Sequence, residues 1–208
     1  MRDVNPQGLV LKRNLAFAIL AGCAMCLLTA AVHVSEPAAA RGTIGLGTWK
    51  TQAEYKDIVV TAGDKVLYRS NFTTEAKDWR PSGGDWRVVD GAYRQSVKGE
   101  NLRSVLSLPE MAEATDYTMQ LKARKIAGSE GFLIMFHVAD DDYYWASIGG
   151  WNNANHGVSH VVGNNRALVG VRVPGKIETG RWYDIRIELT GPQIKCFLNN
   201  TQILDLND

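Results

Sequence analysis

Planar rings and amide side chains crowd into one stretch, Asp140 to His156, which reads D-D-D-Y-Y-W-A-S-I-G-G-W-N-N-A-N-H. Two of the six tryptophans and two of the seven tyrosines fall there, beside three asparagines, a histidine and a Gly-Gly pair. That mixture suits sugars: the apolar C–H face of a furanose or pyranose stacks on a ring, while amide, imidazole and acidic groups bond its hydroxyls. As a strand, the stretch sends Tyr143, Trp145, Ser147 and Trp151 to one face and Tyr144, Ala146 and Ile148 to the other. The small apolar set suits a core. The aromatic set then forms an outward stripe, with Asn152, Asn153, Asn155 and His156 as hydroxyl partners. Gly149-Gly150 allows a bulge that would shift Trp151 out of register. The bland alternative is a buried strand closed by a polar turn.

Polar faces of neighbouring strands complete such a groove through Gln120, Lys122, Arg124, Arg186 and Glu188, of which Arg124 and Arg186 are expected as further sugar contacts. Asp140, Asp141 and Asp142 offer hard oxygen ligands, so Asp140 and Asp142 are candidate ligands of a structural calcium ion. A solvated acidic turn is the alternative, and no other cofactor is called for. Catalysis is less well supplied. Glycoside hydrolysis needs two carboxylates at a defined separation across the scissile bond, and Glu54 and Asp57, three apart, are expected on opposite sides of their strand. No G-x-S-x-G, H-E-x-x-H or phosphate-binding glycine loop occurs. An enzyme acting on a glycosidic bond would have to draw on Glu188, Asp184 or Asp142. Trp49, Trp79, Trp86 and Trp182 read as core or sheet-edge anchors.

The chain of 208 residues carries a formal net charge of +1, and its charges balance once the first 40 residues are set aside. A balanced chain argues against a nucleic-acid partner, which calls for a basic excess on one face. Arg2, Lys12 and Arg13 precede an uncharged apolar run, Leu15 to Val32, and small residues end at Ala40. Residues 1–40 therefore read as a secretory signal peptide cleaved after Ala40, and residues 41–208 as one domain. A lipoprotein box ending at Cys23 and an uncleaved anchor are the alternatives, and a membrane is reached only through this N-terminal segment if it is uncleaved. Each predicts export. Cys196 alone remains after residue 40, on the apolar face of I-K-C-F-L-N, where it reads as a small buried hydrophobe.

The elements that must position these residues are strands. Ala53, Tyr55, Ile58 and Val60 mark one, Lys65 to Ser70 another, and Asp90-Gly91 supplies the positive φ angles of a hairpin turn. Tyr117, Met119, Leu121 and Ala123 alternate with polar residues, as do Ile185, Ile187 and Leu189; Phe132 to Val138 is apolar on both sides, as a central strand would be. Val169 to Val173 follows Gly163-Asn164-Asn165, and Asn199-Asn200 turns the last hairpin. A turn around Pro109 to Ala114 is the one helical candidate. About a dozen short strands without a helical layer predict an all-β fold, a two-sheet antiparallel β-sandwich.

Several segments together, G-D-W-R-V-V-D-G-A-Y-R-Q-S, Y-T-M-Q-L-K-A-R, G-F-L-I-M-F, Y-Y-W-A-S-I-G-G-W-N-N-A-N-H and R-W-Y-D-I-R-I-E-L, resemble the concanavalin A-like (laminin G-like) jelly roll. More narrowly the chain resembles the accessory module of family 51 α-L-arabinofuranosidases, and more loosely the 3-keto-disaccharide hydrolase-like domains. The resemblance implies a secreted, non-catalytic carbohydrate-binding module for arabinose-containing or related plant polysaccharides. A glycoside hydrolase and a structural or protein-interaction sandwich are its rivals. In many such sandwiches the segment resembling Gly42 to Val60 comes last; here it comes first. A permuted, complete module is the expectation, with a truncation at Asp208 as the alternative.

Overall fold

The computed structural model describes residues 39–208. The apolar export segment expected before that point, including the lipoprotein alternative at Cys23, lies outside the described residues. Among the described residues fifteen strands follow one another: β1 (Thr43–Thr48), β2 (Thr51–Ala62), β3 (Lys65–Ser70), β4 (Trp79–Ser82) and β5 (Trp86–Val89). Then come β6 (Ala92–Gln95), β7 (Leu102–Leu106), β8 (Tyr117–Gly128), β9 (Phe132–Ala139) and β10 (Asp142–Gly149). The last are β11 (Asn155–Val162), β12 (Asn165–Pro174), β13 (Trp182–Thr190), β14 (Gln193–Leu198) and β15 (Thr201–Asn207). They form two antiparallel sheets, one of seven strands in the order β12-β11-β10-β9-β1-β7-β4 and one of eight in the order β15-β14-β13-β8-β2-β6-β5, with β3 also on β2. The all-β sandwich expected from strand alternation is what forms. Among the described residues no helix is long and apolar enough to cross a membrane.

The inner faces meet in one core. Ile44 and Leu46 of β1, Tyr55, Ile58 and Val60 of β2, Met119 and Leu121 of β8, Ile134 and Phe136 of β9 and Ile185 and Ile187 of β13 are all buried there. The hairpin turns obey their sequence signals: Asp90-Gly91 and Asn199-Asn200 both adopt positive φ, the geometry that matches the twist of the strands they join. Cys196 is fully buried, and burial pushes its thiol up to about 12. The expected turn after Leu108 is a 3-10 turn, Pro109–Met111.

The early segment has a central place. β1 lies between β9 and β7, and β2 between β8 and β6, so one short stretch of chain supplies an interior strand to each sheet. The crossing at Thr48 to Thr51 is held by Gln95, whose Nε2 donates to Thr48 Oγ1 at 2.7 Å and to the Thr51 carbonyl at 3.0 Å. Tyr55 donates its hydroxyl proton to the Gly47 carbonyl at 2.6 Å. These bonds fix Trp49 at the crossing. Strand β2 also carries a correction. Its register shifts between Lys56 and Val59, with Asp57 at φ 53°, so the inward series jumps from Tyr55 to Ile58. Glu54 and Asp57, expected on opposite sides, therefore share the outer face, where Glu54 holds Arg94 and Arg124 and Asp57 faces Lys122.

Candidate carbohydrate site

The register of β10 divides its side chains as the alternation predicts. Tyr144, Ala146 and Ile148 join the inter-sheet core, while Tyr143 and Trp145 stand on the outside of the seven-stranded sheet with Leu133, Met135, Val138 and Val161. This outer face has its own apolar cluster because β1 contributes almost no side chain to it. Ile44 and Leu46 point inward, which leaves Gly45 and Gly47 outward, and a Cβ on Gly47 would lie 3.3 Å from Leu133 Cβ. The glycines keep the centre of the face low.

The stripe is not an open platform, as expected, but a roofed one. Tyr143 and Trp145 are each 3 % exposed. Arg103, on β7, reaches over the glycine trough to 5.0 Å from the Tyr143 ring centroid, and Arg166, on β12, comes from the other side to 4.7 Å from that of Trp145. Trp49 meets Trp145 edge-on at 6.4 Å. Such cation–π and edge contacts cost little and hold rings in place. Between them lies a small depression lined by Trp49, Glu130, Leu133, Trp145, Ser147, Trp151 and Arg166. The indole Nε1 of Trp145 is buried there without a hydrogen-bond partner among the described residues, and a buried donor left unpaired costs about 1–3 kcal/mol.

Trp151 is presented by unusual backbone. After Gly149 (φ 76°), Trp151, Asn152 and Asn153 all take positive φ, at 52°, 60° and 60°, and the Ala154 N–H closes the turn on the Gly150 carbonyl at 3.0 Å. Each non-glycine residue in this left-handed turn costs roughly 1–2 kcal/mol, so neighbours must hold it. Asn153 does so in both directions, donating from Nδ2 to the Ile177 carbonyl at 2.8 Å and accepting the Ile177 N–H at 2.7 Å. His156 Nδ1 accepts the Gly149 N–H at 2.9 Å. Glu130 is anchored through its backbone, which exchanges two bonds with the Thr51 hydroxyl at 2.8 and 3.1 Å. Strain sustained by this many contacts is commonly found at ligand sites.

The residues expected to bind sugar separate accordingly. Tyr143, Trp145 and Trp151 come together, Trp151 being half-buried and exposed enough to meet a ligand. Asn152 is exposed on the turn, and its N–H lies 3.4 Å from Glu130 Oε1. Asn155 and His156 do not lie in a loop but open β11; His156 pairs with Ile148, is 4 % exposed and supports Gly149 instead of facing solvent. Arg124 and Arg186 lie on the other sheet, β8 and β13, where they bind Glu54 and Glu188. They cannot border the same groove, because their strands alternate Ala123, Ile185 and Ile187 inward and turn the arginines away from the seven-stranded sheet. Asp140 turns at φ 54°, while Asp142 Oδ1 accepts from His160 Nε2 at 2.7 Å. Among the described residues no group of three or more His, Cys, Asp or Glu gathers around Asp140 and Asp142.

Sequence reasoning missed Trp49, Glu130, Arg103, Arg166 and Arg172. For Trp49 a signal existed: in G-L-G-T-W, the two glycines and the tryptophan share one strand face at period two. The arginines come from strands whose neighbours only tertiary pairing defines.

His137 and His156 are both held below the ordinary imidazole range by burial. Each stays neutral when folded and takes a proton in the unfolded chain below about pH 6.5, so stability is full above that value and is lost as pH falls below it. The midpoint of urea unfolding is expected to drop between pH 7.5 and pH 5.5. His156→Gln should reduce that slope; an unchanged slope would remove His156 from the account.

The fold and the ringed outer face define the class, a two-sheet β-sandwich domain with an aromatic, arginine-flanked surface on one sheet. The chain belongs to the 3-keto-alpha-glucoside-1,2-lyase-like domain family, whose model matches residues 69–208. It is 38% identical over 165 residues to an extracellular exo-alpha-L-arabinofuranosidase of Streptomyces chartreusis, covering 77% of this chain and 20% of that protein. The chain thus spans about a fifth of that relative's length. Its fold is similar to that of the carbohydrate-binding module CBM66 from Bacillus subtilis, with a TM-score of 0.54 and 15% identity over 63% of this chain and 80% of that one.

Proposed function

We propose that the outer face of the seven-stranded sheet binds carbohydrate and that the chain is an exported, non-catalytic module that attaches to arabinose-containing plant polysaccharide. One observation carries the reading: a buried, unpartnered Trp145 Nε1–H in a depression walled by Trp49, Trp151, Glu130, Ser147 and Arg166. A ring face for stacking, a free donor, a carboxylate and a hydroxyl are what a single sugar residue needs. Glu130 is the one carboxylate lining that depression, so a two-carboxylate hydrolysis lacks its second group there. Glu188 and Asp184 stand on β13 of the other sheet, away from Asp142 on β10. The likeness to an extracellular arabinofuranosidase supports export and the choice of glycan.

The test is affinity electrophoresis of residues 41–208 against arabinan, arabinoxylan and a β-glucan. Retardation by an arabinose-containing polymer is expected. Trp151→Ala should weaken it at least tenfold, with the thermal midpoint lowered only modestly because Trp151 keeps part of its surface exposed. Free migration in every gel would overturn the reading.

A further inference from the structure

We propose that this same site takes an acidic sugar, a uronate residue whose carboxylate is received between Arg103 and Arg166 while its ring packs at Trp151; the inference rests on the carbohydrate reading above. The two guanidiniums reach the aromatic stripe from opposite edges, Arg103 from β7 and Arg166 from β12, and the Tyr143 hydroxyl feels both charges. Arg172 adds a third, 5.0 Å from the Trp151 ring centroid.

None of these three arginines has a carboxylate within 4.0 Å among the described residues. On the other sheet the situation is reversed: Arg94 and Arg124 share Glu54, and Arg186 holds Glu188. The cations of the aromatic face are thus left without a close ion pair, Glu130 sharing the depression with Arg166 and compensating it only in part. Arg103 Nε is buried with no acceptor, as is Trp145 Nε1, and no other buried side-chain nitrogen or oxygen among the described residues lacks a partner.

The face is therefore rich in donors and poor in acceptors. An ionised carboxylate is acceptor-only and matches the guanidinium fork with two parallel bonds. A guanidinium placed over a ring uses its π surface there and keeps in-plane N–H groups for such a partner. Neutral sugars, whose hydroxyls both donate and accept, would leave Arg103 without a charged partner. Glu130, at the depression, repels a second anion and so orients the ligand's carboxylate toward Arg103.

Isothermal titration with polygalacturonate, its fully methyl-esterified form and neutral arabinan tests this at about 50 mM salt, where charge pairing is weakly screened. At least tenfold tighter binding of polygalacturonate than of its ester is expected. Arg103→Gln should erase most of that preference while arabinan binding persists, and Arg69→Gln, on β3 of the other sheet, should not. Equal affinity for acid and ester, or an equal loss with Arg69→Gln, would overturn the uronate assignment and leave the carbohydrate reading standing. Binding of none of the three polymers would overturn both.

Discussion

Glu54→Gln is expected to lower the free energy of unfolding by about 3 kcal/mol, read from urea denaturation at pH 7. Glu54 is 1 % exposed, yet it is the sole carboxylate of a three-member cluster: Oε1 accepts from Arg94 Nε and Oε2 from Arg124 Nε, each at 2.7 Å, and both terminal guanidinium nitrogens close the pairs. Each oxygen thus receives two N–H groups of one guanidinium, charge-assisted bonds that are stronger than neutral ones. The amide of Gln offers one acceptor and two donors, so one arginine meets an N–H in place of an oxygen. The cost falls toward the lower end for buried pairs because both arginines are about one-third exposed and can turn to water. Removing one arginine should be milder, since Glu54 keeps the other. A cycle over Glu54, Arg94 and Arg124 in which Arg124→Met costs as much as Glu54→Gln would show that packing against Trp182, 4.6 Å from the Arg124 guanidinium, dominates instead.

The second large effect is at Trp145. Trp145→Ala should cost about 3–5 kcal/mol of stability, because the indole fills the outer cluster beneath Arg166 and beside Trp49 and Tyr143. Loss of glycan binding in that variant would confound unfolding with recognition. Trp145→Phe separates them. It keeps most of the packing and removes a buried donor that has no protein partner, so stability should change by less than about 1 kcal/mol. If that N–H serves a sugar, affinity should still fall at least tenfold. Full affinity in Trp145→Phe, measured by titration calorimetry, would mean that the ring contributes only its shape.

These two residues also show how legibility divides. Trp145 was found by its neighbours: alternation through Tyr144, Ala146 and Ile148 assigns it to the outer face, and the register agrees. Its burial was not legible, since the cover comes from Arg103 and Arg166, 42 residues before and 21 after it in the numbering. Glu54 was read with Asp57 as a non-converging pair on a regular strand. The bulge with Asp57 at φ 53° reversed that phase, although the spacing Ala53, Tyr55, Ile58, Val60 already contained the skipped residue.

For the aromatic stretch from Asp140 to His156, the sequence alone determined that a strand would send Tyr144, Ala146 and Ile148 inward and Tyr143 and Trp145 outward, because strand periodicity is local and needs no partner. It likewise determined the turns at Asp90-Gly91 and Asn199-Asn200, whose backbone preferences belong to the residues themselves. Only the tertiary structure decided that His156 would support Gly149, that Arg124 and Arg186 would stand on the far sheet, and that Trp49, Glu130, Arg103 and Arg166 would meet around the stripe. Those outcomes depend on which strands lie side by side, and strand order is set by the collective burial of both inner faces, a property that no single segment carries.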